Sequence, residues 1–219
     1  MFLSVDKNHN FLINNGCSLK SNFEIKNVKN SLNVWILEGS FKAVKSTGLA
    51  IESFKFSEAS SILYNFFWHT YCDWYLEFAK SLLSSSYNDE TISETKTVCC
   101  YVFQILLKAI HPIMPFISEV LNDSLSKKEN IIIKEEWPEI DYEIDKNKEK
   151  TSEANWLIKL ITEIRSVKSS LNISKKAEID LAIRNASQQT SLRFKNYFPL
   201  LQKIINLNEI IEESNISGK

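Results

Sequence analysis

The feature that most constrains the fold is the stretch 56–80, FSEASSILYNFFWHTYCDWYLEFAK, in which large apolar and aromatic side chains recur at helical spacing. Ser57 is a suitable N-cap for a helix here, and Glu58 places a negative charge at its positive end. The predicted apolar stripe is Ile62, Leu63, Phe66, Phe67, Trp74, Phe78 and Leu82. So much apolar area on one helix requires at least two neighbouring helices. The stretch therefore predicts a bundle with an aromatic core.

Three further segments supply those neighbours. Residues 28–52 and 94–110 both show helical periodicity, with a weak point expected near Gly39 in the first of them. Pro115 suits the first turn of another helix, whose predicted inner face is Ile117, Val120, Leu121 and Leu125. With only four glycines and four prolines in 219 residues, long helices are favoured over turn-rich β structure. We expect four antiparallel helices with short connections.

The character of the sequence changes in its last third. Residues 141–150 are almost all polar or charged and predict a surface linker, after which Ser152 begins another amphipathic helix. Residues 178–183 alternate with period two, which predicts a half-buried strand, and the tail at 192–213 predicts one or two helices. The predicted fold class is mainly α: an antiparallel helical bundle (1–140), then a linker, a helix and a small α+β subdomain (141–219) as a C-terminal appendage.

Charge and composition narrow the function. The net charge of −1 gives no overall basic field, so any nucleic-acid binding must use local patches. No apolar run approaches the eighteen residues of a membrane span, and the N-terminus becomes polar too soon for a secretory leader. The cysteines lack metal-binding spacing and the three histidines are dispersed. We expect a cytoplasmic protein without a metal site or membrane contact.

The hexapeptide Cys72-Asp73-Trp74-Tyr75-Leu76-Glu77 resembles the signature of the anticodon-binding domain of valyl-tRNA synthetases, which are class I aminoacyl-tRNA synthetases. Other landmarks follow in the family's order: SLNVWIL at 31–37, HPIMPFISE at 111–119, WP at 137–138 and IRSVKSSLNI at 164–173. The resemblance covers roughly residues 28–185. The HPIMPF type of segment is shared with isoleucyl enzymes, so the hexapeptide is what indicates valine.

The resemblance implies a domain that binds the anticodon region of valine tRNA. Its other expected partner is the catalytic domain of a class I synthetase, in cis or in trans. The ATP-handling signatures His-Ile-Gly-His and Lys-Met-Ser-Lys-Ser do not occur in this sequence. We therefore expect no catalytic residue and no cofactor in this chain, since ATP would bind the catalytic domain. The i, i+4 carboxylates Asp73 and Glu77 are expected to have a surface or hydrogen-bonding role.

The candidate tRNA-binding residues are one aromatic and six basic side chains: Trp35, Lys42, Lys45, Arg165, Lys168, Lys175 and Lys176. Trp35 matches a position where the family carries an aromatic near the anticodon loop, although its place in an apolar stripe also fits the core. The basic residues that usually flank it are replaced by Val34 and by Glu38-Gly39-Ser40. The alternative function is a stand-alone helical interaction module that docks on a separate catalytic subunit, or the remnant of a split synthetase gene.

Overall fold

The computed structural model describes residues 23–126, 131–139 and 148–213. Single 3-10 turns occupy Ile25–Asn27 and Ile132–Lys134. The longer elements, in chain order, are α1 (Ser31–Glu52), α2 (Phe56–Tyr64), a π-helix (Asn65–Tyr75), α3 (Leu76–Leu82), α4 (Asp89–Ile110), α5 (Pro115–Ser126), α6 (Lys148–Ser170), β1 (Ile179–Arg184), α7 (Gln188–Ile205) and β2 (Leu207–Glu213).

Helix α1 runs without interruption through Gly39, where a weak point was predicted. Asn30 caps it, because its side-chain oxygen accepts hydrogen bonds from the backbone amides of Leu32 and Asn33. Gly39 has a packing reason to be glycine. A Cβ there would lie 2.9 Å from Cε2 of Phe66, so the missing side chain lets the aromatic stretch approach α1 closely.

The aromatic stretch is one continuous helical rod whose middle is a π-helix. The amide of Leu76 bonds to the carbonyl of Tyr71, five residues earlier, where an α-helix would use the fourth. The wider turn brings Phe66, Tyr71 and Tyr75 to the buried side. A uniform α-helix was predicted here, and its stripe left out Tyr71 and Tyr75, the largest fully buried side chains of the described residues. The rod begins one residue before the predicted cap, at Phe56.

Helices α1 and α4 lie side by side with their N-termini at the same end, joined there by a buried polar network. The side-chain nitrogen of Asn33 donates to Glu94 Oε1 (2.8 Å) and to Thr95 Oγ1 (3.0 Å). The hydroxyl of Tyr75 donates to Asn33 Oδ1 at 2.9 Å. The side-chain amide of Asn33 therefore joins helix α1 to the π-helix and to α4, and both its nitrogen and its oxygen have hydrogen-bond partners. Helix α4 itself starts earlier than predicted, because Asn88 caps it.

The predicted inner face of helix α5 is right for Leu121, which is half-buried and packs against the core, and wrong for Ile117 and Val120; the side chain of Leu125 lies outside the described part of the structure. Ile117 and Val120 are exposed, whereas the polar residues Ser118 and Asn122 are buried. Ser118 fixes this orientation: its hydroxyl lies 2.8 Å from Nδ1 of the buried His111 and also contacts the carbonyl of Met114. Because buried polar groups must keep their hydrogen bonds, Ser118 and Asn122 face inward beside Leu121, and Ile117 and Val120 remain outside.

The C-terminal region is a small βαβ unit joined to a long helix. Strands β1 and β2 pair in parallel, and α7 connects them. The segment 207–213 is thus a strand, where a helix was predicted. Helix α6 begins at Lys148, before the predicted start at Ser152, and Thr151 donates to the buried carboxylate of Glu38 at 3.0 Å. The first seven residues of the predicted linker, 141–147, and residue 140 at the expected domain boundary lie outside the described residues. The predicted fold class, a helical bundle with a small α+β appendage, is confirmed.

Candidate nucleic-acid interface

An arginine stacked on a tryptophan marks the exposed end of α6. The guanidinium carbon of Arg165 lies 5.6 Å from the ring centroid of Trp74. Trp74 in turn packs against Phe78 (5.8 Å), and Phe78 packs edge-on against Trp35 (6.2 Å). A cation–π contact at an exposed site contributes about 0.5–1 kcal/mol, enough to restrict the side chain without neutralising its charge. Arg165 is therefore held in place while remaining exposed to solvent.

Lys168 anchors the segment that follows α6. Its side chain is 6% exposed, and Nζ donates to the carbonyls of Ala177 (2.7 Å) and Ile205 (2.9 Å). The chain reverses at Asn172, whose φ of 53° is left-handed, and returns past the lysine. Although Lys168 was predicted to contact phosphate, its ammonium group is occupied by two backbone carbonyls inside the fold. It acts as a structural cation joining α6 to the βαβ unit.

Lys175 and Lys176 lie on the loop that Lys168 anchors, and both are exposed. The carbonyl of Lys175 accepts a 2.9 Å hydrogen bond from the side chain of Asn206, which fixes the loop to the end of α7. Together with Arg165, these lysines form what we call the basic surface: Arg165, Lys175 and Lys176. Its three charges come from the end of one helix and the loop that leaves it. Within the described ranges, none of the three forms an ion pair with a carboxylate.

The remaining predicted residues lie on α1. Trp35 is 9% exposed, and its ring belongs to the core. This position favours the core alternative, because a base could stack on the ring only if the side chain left its contact with Phe78. Lys42 and Lys45 are exposed, one turn apart on α1, and are separate from the element that carries Arg165.

The signature hexapeptide has mainly structural contacts. Tyr75 is buried in the polar network, and Trp74 supports Arg165. Asp73 lies 3.3 Å from Nδ1 of His69, and Glu77 accepts from Lys80 at 2.6 Å. The two carboxylates thus have separate surface partners, which agrees with the surface role expected for them. The contact between Trp74 and Arg165 was missed by sequence reasoning, because no local pattern connects residues so far apart in the chain.

The thiols and phenols of the core show no activated nucleophile. Burial, with a smaller effect from Asp73, raises the pKa of Cys72 to about 11, and burial raises the pKa of Cys99 to about 12. Burial likewise raises the pKa values of Tyr71 and Tyr75 well above their usual value. Since the thiolate is the reactive form of cysteine, these thiols are unreactive at neutral pH. Across ranges 23–126, 131–139 and 148–213, no cluster of three or more metal-ligating side chains occurs, and no helix is long and apolar enough to cross a membrane.

Comparison with known proteins gives a family for this arrangement. The family model described as the anticodon-binding domain of tRNA ligase matches residues 33–183, from α1 to β1. The matched region contains Arg165, Lys175 and Lys176 as well as the signature hexapeptide.

Similar curated proteins are valine–tRNA ligases. The chain is 32% identical over 203 residues to that of Caulobacter vibrioides, covering 90% of this chain and 22% of that protein. It is 34% identical over 201 residues to that of Bartonella quintana, with the same coverage, and 28% identical over 211 residues to that of Zymomonas mobilis. The predicted resemblance to valyl-tRNA synthetases is confirmed. The chain spans about one-fifth of the length of these relatives.

Proposed function

Since this chain belongs to the family of anticodon-binding domains of tRNA ligases, we propose that it binds the anticodon region of valine tRNA and contributes recognition, without bond-making chemistry, to the charging of that tRNA. tRNA binding in the context of a synthetase follows from the family. Specificity for valine is supported by the relatives: each is a valine–tRNA ligase, and its alignment with this chain covers 90% or more of the chain.

The observation that carries the proposal is the basic surface within the matched region. Phosphate contacts supply most of the affinity of a protein for nucleic acid, and arginine suits them because its planar fork can bind two oxygens at once. Arg165 is exposed and braced by Trp74, so little side-chain freedom remains to be lost when it binds. Lys175 and Lys176 add two charges on an anchored loop.

Lys42 and Lys45 extend the proposal to a second element, α1. Trp35 has only a supporting role in this proposal. Its ring packs against Phe78, which packs against Trp74, and Trp74 in turn contacts the guanidinium of Arg165. Lys168 supports the same surface from inside, by holding the loop of Lys175 and Lys176. The proposed direct contacts are therefore Arg165, Lys175, Lys176, Lys42 and Lys45.

A filter-binding titration of the 219-residue chain against valine tRNA, repeated at several salt concentrations, tests this function. We expect binding at low salt that weakens as salt rises, and weaker binding to a tRNA with a different anticodon. Replacing all three members of the basic surface by glutamine should reduce the magnitude of the slope of log K against log[salt] by about 2–3, or roughly one per lost phosphate contact.

The double variant K42Q/K45Q tests the second element, α1, and should reduce the magnitude of the slope by up to about 2, or roughly one per lost phosphate contact. If the triple variant binds with the wild-type slope, the basic surface is not the site. If neither tRNA binds at low salt, or both bind equally, the chain does not perform anticodon recognition by itself.

A further inference from the structure

The residues that flank Trp35 on α1 face the interior of the protein. Val34 is 3% exposed, Glu38 1% and Ser40 0%. They replace the basic residues that usually flank this tryptophan in the family, but none of them contributes to the charge of the surface. A carboxylate inside a protein must have hydrogen-bond partners, so the partners of Glu38 indicate its role.

Glu38 joins α1 to the first turn of α6. The hydroxyl of Thr151 donates to Oε2 of Glu38 at 3.0 Å. The preceding residue, Lys150, donates from Nζ to the carbonyl of Val28 at 3.3 Å, just before α1 begins. The start of α6 is therefore fastened to α1 by hydrogen bonds, which have a preferred distance and angle.

The buried side of α6 beyond this turn is apolar. Ala154, Leu157 and Ile161 are each 0% exposed and belong to the core. Burial of apolar surface is non-directional, so it favours contact without selecting one position of the helix along its axis. The bond between Thr151 and Glu38 adds a directional restraint to this interface.

Helix α6 carries this restraint to Arg165. Thr151 and Arg165 lie on one helix without glycine or proline, about 21 Å apart at 1.5 Å per residue. Trp35, one turn before Glu38 on α1, supports Trp74 through an intervening phenylalanine ring. Helix α1 thus holds both α6 and the ring beneath Arg165, and a shift of α6 along α1 would separate the guanidinium from that ring.

We propose that Glu38 is a positioning residue for nucleic-acid binding, which acts through Thr151 and α6 to hold Arg165 over Trp74. The inference rests on the proposed function, since the place of Arg165 matters for binding only if the basic surface contacts RNA. Glu38 supports that surface from inside the fold, although its own charge is opposite to that of the surface.

Three variants of the 219-residue chain remove or keep the bond. Glu38→Leu has a similar volume but no acceptor, Thr151→Val removes the donor hydroxyl, and Glu38→Gln keeps an acceptor oxygen. Ser40→Ala is the matched control, because the hydroxyl of Ser40 is also buried in α1 but bonds within that helix, to the carbonyl of Leu37 at 2.8 Å. Circular dichroism first shows that each sample is folded at the measuring temperature. If Glu38→Leu does not fold, Thr151→Val removes the same bond from the other side.

The Nε–H signal of Arg165 in a proton–nitrogen NMR spectrum reports where the guanidinium lies, because the ring of Trp74 shifts the resonances of groups above its face. The signal is assigned by its absence in Arg165→Gln. We expect it to move in Glu38→Leu and Thr151→Val and to stay in place in Glu38→Gln and Ser40→Ala. An unmoved signal in both variants that lack the bond, or an equal movement in Ser40→Ala, overturns the proposal.

Filter binding of valine tRNA at low salt measures the consequence. We expect Glu38→Leu and Thr151→Val to weaken binding by about threefold to tenfold, because Arg165 loses its preorganised position, and Glu38→Gln and Ser40→Ala to change it by less than about twofold. In the Arg165→Gln background, Glu38→Leu should have no further effect, because two residues that act through one contact are not additive. Equal weakening by Glu38→Leu with and without Arg165 would show that Glu38 does not act through Arg165.

The NMR measurement needs no RNA and therefore separates the two proposals. If valine tRNA does not bind while the Arg165 signal moves as expected, the anticodon function fails and the positioning of Arg165 by Glu38 stands. If valine tRNA binds and the signal does not move, the positioning proposal fails and the function stands.

Discussion

Replacing Tyr75 by phenylalanine tests the polar network that joins α1, the π-helix and α4. Tyr75 and Asn33 are both 0% exposed, so no water can replace the lost hydroxyl. Asn33 cannot turn its amide over to compensate, because its nitrogen already donates to Glu94 and Thr95. The substitution therefore leaves Asn33 Oδ1 buried without the donor it has in the wild type, at 2.9 Å.

An unsatisfied buried acceptor costs about 1–3 kcal/mol in the free energy of unfolding. For a domain of this size each kcal/mol lowers Tm by about 2–4 °C, so Tyr75→Phe should lower Tm by roughly 2–12 °C. Thermal unfolding followed by circular dichroism, together with urea titration, measures both quantities.

Tyr71→Phe is the matched control on the same π-helix. Tyr71 is equally buried, but its hydroxyl donates to the backbone carbonyl of Cys99, which α4 already uses in its own ladder. Its loss removes one hydrogen bond and leaves no orphan, so we expect about 0.5–1.5 kcal/mol. If the two variants are equally stable, or if Tyr75→Phe lies within about 0.5 kcal/mol of wild type, the network does not hold the bundle together.

Three further outcomes are expected. Gly39→Ala should lower Tm, although alanine favours helices by about 1 kcal/mol, because its Cβ would lie 2.9 Å from the buried ring of Phe66. Gly48→Ala should have a milder effect, because its Cβ would lie 3.3 Å from Nε1 of Trp137. A higher Tm for Gly39→Ala would contradict the close approach of Phe66. Lys168→Met should destabilise the fold by on the order of 3 kcal/mol in urea titration, because it leaves the carbonyls of Ala177 and Ile205 without their donor. A stability equal to that of wild type would contradict the anchoring role of Lys168. Burial raises the pKa of Cys99 to about 12, so the contribution of this thiol to the free energy of unfolding is complete below about pH 9 and is lost as pH rises towards 12, by up to about 1.4 kcal/mol per pH unit. Cys99→Ala should remove this part of the dependence of the free energy of unfolding on pH. An unchanged dependence between about pH 9 and 12 would refute this prediction.

The helices of the bundle could be predicted from the sequence, because helical periodicity and helix-ending residues are local features of the chain. Helical periodicity located the bundle helices, and the His111-Pro112 pair correctly ended α4 at Ile110. Alternation in residues 178–183 located β1 to within a residue. The strand β2 was missed because its sequence does not alternate regularly; it is a strand because β1 is available as a parallel partner.

The candidate site was only partly predictable for the same reason. Charge and family resemblance selected both Arg165 and Lys168, which are one turn apart on α6. What separates them is long-range: Trp74 supports the first, whereas carbonyls 9 and 37 residues away bind the second. The orientation of α5 depends likewise on Ser118 and His111, whose hydrogen bond no periodicity reveals.

Chemical footprinting of valine tRNA by the 219-residue chain tests anticodon binding most directly. Hydroxyl-radical cleavage of the tRNA backbone, at low salt and with saturating protein, reports which riboses the protein covers. We predict protection of the anticodon stem and loop that disappears in the triple glutamine variant of the basic surface. Protection confined to the acceptor stem, or an unprotected tRNA under conditions where the complex is formed, would contradict it.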